Sequence, residues 1–137
     1  MRTITSELAN KIISDCARKA QEIGKKVSIA ICDPGGTAKA FLRMDGAPLL
    51  SVTIAQDKAY TAVAFGISTD KWHEFIKNDP PLATGIVHVP RLIIFGGGYP
   101  IVDGGELIGS IGVSGGHYSE DMECARYALE VNNLPSE

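Results

Sequence analysis

Three charged residues, Arg43, Asp45 and Lys58, have side chains that suit anion binding and proton transfer. Arg43 and Asp45 lie just beyond a predicted strand, whereas Lys58 shares a predicted helix face with apolar residues such as Ile54. A buried ammonium needs a partner, because desolvating a bare charge is costly. Two interpretations remain open. Either Arg43 and Lys58 bind a carboxylate of a ligand, or Asp45 forms an internal ion pair with one of them.

Two glycine-rich segments, Gly96–Gly98 and Gly112–Gly116, could bring backbone close to a ligand. The first lacks the Gly-Lys-Ser/Thr of a nucleotide loop and precedes a predicted strand, so its glycines serve either a tight connection or a ligand. The second leads into a predicted helix, but Glu120 and Asp121 already complement that helix dipole, which favours a polar ligand over a phosphate. The predicted ligand contacts here are Phe95, Gly97, Gly98, Ser114, Gly115 and Gly116.

The three histidines, His73, His88 and His117, do not form the i, i+4 pair or the triad of a typical metal site. His73 is predicted to lie at the surface or at an interface, and His88 in a loop. His117 extends the second glycine segment and would lie near any ligand held there. We therefore take His117 and Asp45 as the candidate proton-transfer groups, with an ordinary hydrogen-bonded or solvated histidine as the alternative for His117.

The elements that must position these residues begin with a helix and a β-hairpin. Apolar residues recur at helical spacing after Thr5, a predicted N-cap, until Gly24. Two extended segments, 27–32 and 37–43, flank Asp-Pro-Gly-Gly at 33–36. Proline at the second turn position sets φ and glycine at the third can take positive φ, so the pattern predicts a hairpin.

Two helices are predicted next. The first is an alanine-rich helix over 51–65 that ends at Gly66 in the left-handed conformation. The second begins at Ser68 or Thr69, carries Trp72, Phe75 and Ile76 on one face, and is stopped by Asn-Asp-Pro-Pro at 78–81.

A three-stranded meander and a final helix complete the prediction. Segments 92–95, 99–102 and 106–113 are predicted strands, joined by tight glycine turns, and Ser119 is the predicted cap of a helix that continues past Ala128. The order α-β-β-α-α-β-β-β-α places the chain in the α+β class, with an antiparallel five-stranded sheet flanked by helices.

Composition and charge narrow the class of protein. With 137 residues, the chain is predicted to form one domain, 1–137. The net charge of -3 and the scattered Lys and Arg residues argue against nucleic acid or a membrane surface as partner. No secretory signal or long apolar segment is apparent, and three cysteines, Cys16, Cys32 and Cys124, lack the C-x-x-C spacing. We therefore expect a cytoplasmic protein with reduced, buried cysteines.

Five segments in order and at matching spacing closely resemble the GlcG/HbpS/PduO C-terminal domain family. They are VSIAICDPGG (27–36), FLRMDGA (41–47), AQDKAYTA (55–62), FGGGYPI (95–101) and GVSGG (112–116). The resemblance implies a profilin-like or roadblock-like fold with a five-stranded antiparallel sheet. It also implies a homo-oligomer, at least a dimer. Trp72, Phe75 and Ile76, which we do not expect so small a domain to bury fully, would supply the contact. No adenosyltransferase catalytic domain accompanies the chain, so that activity is not expected.

The resemblance further implies a small-ligand-binding protein, with haem or a related tetrapyrrole as the expected ligand. Arg43 and Lys58 would then grip a haem propionate. The first helix holds no His or Tyr and no internal Met, so it offers only Cys16 as an axial ligand. His117 is therefore the predicted iron ligand if haem binds. The alternative is a small catabolic enzyme that acts on a carboxylate-bearing metabolite.

Overall fold

A computed structural model of the chain describes residues 2–137. Its helices and strands are α1 Ser6–Glu22, β1 Ser28–Cys32, β2 Ala38–Arg43, α2 Leu49–Phe65, α3 Trp72–Ile76, α4 Pro80–Gly85, β3 Gly98–Asp103, β4 Glu106–Ser114 and α5 Tyr118–Glu130. Short 3₁₀ turns, Thr69–Lys71 and Ile86–His88, precede α3 and follow α4. None of the helices described between residues 2 and 137 is long and apolar enough to cross a lipid bilayer.

The sheet is antiparallel, has four strands in the order β2-β1-β4-β3, and carries helices on both faces. Alternate residues of a strand point to opposite faces. Ile29 and Ile31 of β1 therefore join the larger core, which α1 and α5 complete. Ala30 and Cys32 point the other way and pack against Ala55 and other small residues of α2. Short side chains between β1 and α2 let that helix lie close to the sheet.

The predicted five-stranded sheet is wrong, although the α+β class is correct. Residues 92–95, predicted as a strand, form none. The backbone N–H of Ile93 donates instead to Thr61 Oγ1 at 3.0 Å, and that hydroxyl donates to the Arg91 carbonyl at 2.7 Å. This segment therefore lies against α2 and does not pair with the sheet. A hydroxyl of the helix, and not a neighbouring strand, is the hydrogen-bond partner of its backbone.

A helix also appears where only a helix stop was predicted. Asp79 accepts a hydrogen bond from the Leu82 N–H at 3.3 Å and so caps α4, which begins with two prolines. Proline is compatible with the first turn of a helix because no intrahelical partner is needed for its nitrogen. The same residues thus end one helix and begin the next.

Two local signals gave accurate helix boundaries. Thr5 caps α1 through its Oγ1, and Gly66 ends α2 with φ of +78°. In the hairpin turn after Asp33, however, the positive φ of +84° falls on Gly36, the fourth position, and not on Gly35 as predicted. A β-bulge at Cys32 accommodates this turn.

Candidate functional site

A buried ion pair between Lys58 and Asp121 lies beside both glycine segments. The Lys58 side chain has no exposed surface, and its Nζ lies 3.0 Å from Asp121 Oδ2 and 2.8 Å from the carbonyl oxygen of Val113. The other carboxylate oxygen of Asp121 accepts the Gly116 N–H at 3.0 Å. The pair therefore joins α2, β4 and α5. An internal ion pair for Lys58 was one of the two interpretations, but its partner is Asp121, not Asp45.

Burial opposes the charge on both members of this pair. Desolvation lowers the pKa of Lys58 and raises the pKa of Asp121, while the partner's opposite charge acts against each shift. The Gly116 N–H also favours the ionised carboxylate. Each charge is thus tolerated in the interior only because the other is present.

Three consecutive glycines lead into β3, and two of them pack closely around Lys58. Gly97 has φ of +127°, and a Cβ there would lie 2.5 Å from Lys58 Nζ and 2.6 Å from the Val113 carbonyl oxygen. At Gly98 the added atom would lie 2.5 Å from the Lys58 carbonyl oxygen. A Cβ on Gly96 would overlap only the flexible side chain of Met122. Tight packing therefore accounts for Gly97 and Gly98, and their contact with a ligand stays a prediction.

The second glycine segment is also closely packed. Gly115 has φ of +147°, and a Cβ there would lie 2.5 Å from the Lys26 carbonyl oxygen. Gly116 is held by the Asp121 carboxylate. Ser114 is buried at the end of β4, opposite Ser28 of β1. These residues connect the sheet to α5 and fix where that helix begins.

An open groove of about 450 Å³ lies near the ion pair, and Phe95 stands between the groove and Lys58. The Phe95 ring centroid lies 5.2 Å from Lys58 Nζ, and 40% of the residue is exposed. Tyr118, half exposed, lies beside it with ring centroids 6.5 Å apart. We call this the aromatic groove. Its lining residues are Asp70, His73, Glu74, Ile94, Phe95, Gly96 and Tyr118.

His117 acts as the N-cap of α5, so the prediction of Ser119 as cap is wrong by two residues. Its Nδ1 accepts the Ser119 N–H at 3.2 Å, while its own backbone N–H donates to Glu120 Oε1 at 2.9 Å. This is a capping box in which imidazole replaces the usual hydroxyl. An Nδ1 that accepts a hydrogen bond leaves the proton of the neutral ring on Nε2. The ring lies 4.2 Å from that of Tyr118.

His73, not His117, lies directly in the lining of the aromatic groove. It is exposed on α3 beside the buried Trp72, and sequence analysis assigned it only to the surface. It lines the same groove as Tyr118, which is the first residue of α5. The sequence contains no local pattern that links those two helices.

Arg43 and Lys58 do not share a site. The Arg43 guanidinium is exposed and donates two hydrogen bonds to the Ala47 carbonyl oxygen, from Nε at 3.1 Å and Nη2 at 2.8 Å. It lines a second open groove, of about 480 Å³, with Lys25, Lys26 and Asp45. We call this the cationic groove. Asp45 therefore lies with Arg43, and Lys58 lies inside the protein.

Three comparisons place the chain among known proteins. A family model described as haem-degrading protein HbpS-like matches residues 4–130. Protein GlcG of Escherichia coli K12 is 35% identical over 111 residues, which cover 81% of each chain. The corrinoid adenosyltransferase PduO of Salmonella typhimurium is 34% identical over 85% of this chain, but the chain spans only 35% of PduO. The crystal structure of a PduOC:heme complex matches with a TM-score of 0.89 at 28% identity, over 98% of this chain and 99% of that chain.

Proposed function

The chain belongs to the HbpS-like family, and from that membership we propose that it is a haem-binding protein whose haem lies in the aromatic groove. The observation that carries the proposal is an open groove that combines two exposed aromatic rings, Phe95 and Tyr118, with the imidazole of His73. The haem complex of PduOC, which shares this fold, supports the choice of ligand.

The residues of the groove suit a flat, largely apolar group with one face open to solvent. Phe95, Tyr118 and Ile94 provide the apolar contact, and aromatic rings pack well against a planar surface. Haem, when bound, supplies an iron that takes an imidazole as axial ligand. Asp70 and Glu74 at the groove repel carboxylates, so the propionates should face solvent. Neither Lys58 nor Arg43 is needed to hold them here.

His73 is the iron ligand in this proposal, and His117 is the second candidate. Ligation through Nε2 of His117 would move its proton to Nδ1, which then could no longer accept the Ser119 N–H. That change would cost the N-cap of α5, although Nδ1 could donate to Ser119 Oγ at 2.8 Å. No such cost arises at His73, whose ring has no hydrogen bond with the residues described at 2–137.

Hemin titration of three histidine variants tests this proposal. We expect the wild-type protein and His88→Ala, the matched control outside the groove, to give the same saturable Soret shift. His73→Ala should weaken hemin binding at least about tenfold, as expected when a coordinate bond is lost. Loss of the shift in His117→Ala alone would move the ligand to His117. No saturable change in the wild-type protein would contradict haem binding altogether.

We also propose that the chain forms a homo-oligomer, at least a dimer. The argument from α3 needs correction, because Trp72 and Ile76 are only 3% and 2% exposed and are buried within one chain. Phe75 and Phe65, by contrast, remain 59% and 55% exposed and pack against each other around Trp72. Exposed aromatic residues that adjoin one another are typical of protein interfaces.

Light scattering at micromolar concentration should therefore give at least twice the 14.6 kDa mass of one chain. The double variant Phe65→Ser, Phe75→Ser should shift the mass toward the monomer, because it removes apolar contact area. Leu49→Ser, which changes an exposed leucine at the other end of α2, is the matched control and should keep the wild-type mass. A monomer mass for the wild-type protein would contradict the proposal.

The second candidate function is binding or conversion of a carboxylate-bearing metabolite in the cationic groove. Three cations, Lys25, Lys26 and Arg43, line that groove with a single acid, Asp45. The guanidinium of Arg43 is oriented by its two bonds to Ala47, so it is prepared to bind a carboxylate. Asp45 is its proposed proton-transfer group, whereas His117, the other candidate from the sequence, is not among the residues that line this groove. A cytoplasmic location is part of both candidates and agrees with three buried, unpaired cysteines.

A further inference from the structure

Two buried oxygen atoms lack a hydrogen-bond partner within residues 2–137, namely Tyr99 Oη and Asp70 Oδ1. Tyr99 of β3 is 2% exposed and belongs to the larger core. Buried polar groups in proteins are nearly always paired, because an unpaired one costs stability. An unpaired donor close to an unpaired acceptor therefore indicates a site for a ligand that has both complementary groups.

Both residues line one small cavity, between the Ser68–Lys71 turn and α5. Burial raises the pKa of the Tyr99 hydroxyl, and the negative charge of Asp70 raises it further, so the phenol stays protonated and can donate. Two cations, Lys71 and Arg126, lie at the rim and form no ion pair with any residue described between 2 and 137. Glu137 also lines the cavity, which thus offers groups of both charges.

The size of the cavity limits what it can hold. Its volume is about 180 Å³. A site for a single water needs only about 10–15 Å³ by this kind of measure, so the cavity can hold a molecule larger than one water. A three-carbon acid with one further polar group is a small molecule of this kind.

We propose that this cavity binds a short carboxylic acid that carries a hydroxyl or ammonium group next to its carboxylate. The hydroxyl or ammonium group donates to Asp70 Oδ1. The carboxylate accepts from the Tyr99 hydroxyl and pairs with Arg126 and Lys71. This site is separate from the proposed haem site, since of the four groups that hold the acid only Asp70 also borders the aromatic groove.

Three acids of equal carbon number test the inference: lactate, alanine and propionate. We expect lactate or alanine to give saturable NMR shifts at Tyr99 and at least about tenfold tighter binding than propionate, which lacks the second donor. Binding of lactate would identify the donor as a hydroxyl group, and binding of alanine would identify it as an ammonium group. Equal binding of propionate, or no saturable binding of either lactate or alanine, would overturn the inference.

Variants locate the binding. Tyr99→Phe should weaken binding at least about tenfold and keep or raise the unfolding midpoint, because it removes a buried hydroxyl without a partner. Arg126→Gln, an exposed change, should weaken binding as well. Lys39→Gln, which changes an exposed cation on β2 outside the cavity and both grooves, should leave binding unchanged. Loss of binding in Arg43→Gln would place the acid in the cationic groove instead and overturn the inference. Hemin titration of Tyr99→Phe should match the wild-type protein, which separates this site from the proposed haem function.

Discussion

Replacing Asp121 with asparagine should lower the free energy of unfolding by about 3–5 kcal/mol, the usual cost of removing one charge from a buried pair. The amide can still accept the Gly116 N–H, but it no longer neutralises Lys58, whose side chain is fully buried. Lys58 would then be an uncompensated ammonium in the interior. Urea unfolding followed by circular dichroism measures the loss.

The double variant Lys58→Met, Asp121→Asn should recover most of that stability. Desolvation favours the neutral form of both groups, as the lowered pKa of Lys58 and the raised pKa of Asp121 indicate, so an uncharged pair avoids the cost. Glu74→Gln, which breaks an exposed ion pair with Lys77, is the matched control and should leave the unfolding midpoint unchanged. If Asp121→Asn unfolds at the same midpoint as this control, the buried pair does not have the role described.

Gly112→Ala should be the most destabilising single methyl addition in the sheet, with a loss of about 3 kcal/mol or more. A Cβ at this position of β4 would overlap the Ala55 carbonyl oxygen and lie 2.6 Å from the Ala59 nitrogen. Both are backbone atoms of α2, so no side-chain rotation can relieve the overlap and the helix must move away from the sheet. Because α2 carries Lys58, that movement would also disturb the ion pair.

Gly85→Ala is the matched control for this change. A Cβ on Gly85 at the end of α4 meets no atom within 4 Å, and alanine favours the helix over glycine. We expect its unfolding midpoint to equal or exceed that of the wild-type protein. A wild-type midpoint for Gly112→Ala in the same experiment would mean that α2 can move without cost, contrary to the close packing seen here.

Local sequence patterns predicted most of the elements because their signals act over a few residues. The Thr5 cap, the Gly66 stop and the glycine turn between β3 and β4 depend only on neighbouring backbone. Segment 92–95 was predicted as a strand because its apolar, branched residues suit one. The partner that decided against a strand, Thr61, is about thirty residues away, and local propensity carries no information about it.

The sequence by itself determined the family, the α+β class and the presence of a buried cation on α2, because these follow from ordered motifs and from helical spacing. Only the tertiary structure decided which carboxylate neutralises Lys58. Asp121 is 63 residues away along the chain and meets it because α2 and α5 converge where β4 ends. Similarly, only the tertiary structure decided that His73 of α3 and Tyr118 of α5 line one groove, and that Asp70, in the turn before α3, lines the cavity of Tyr99. Such pairs depend on long-range packing, because the free energy that favours them comes from the whole core and not from any local segment.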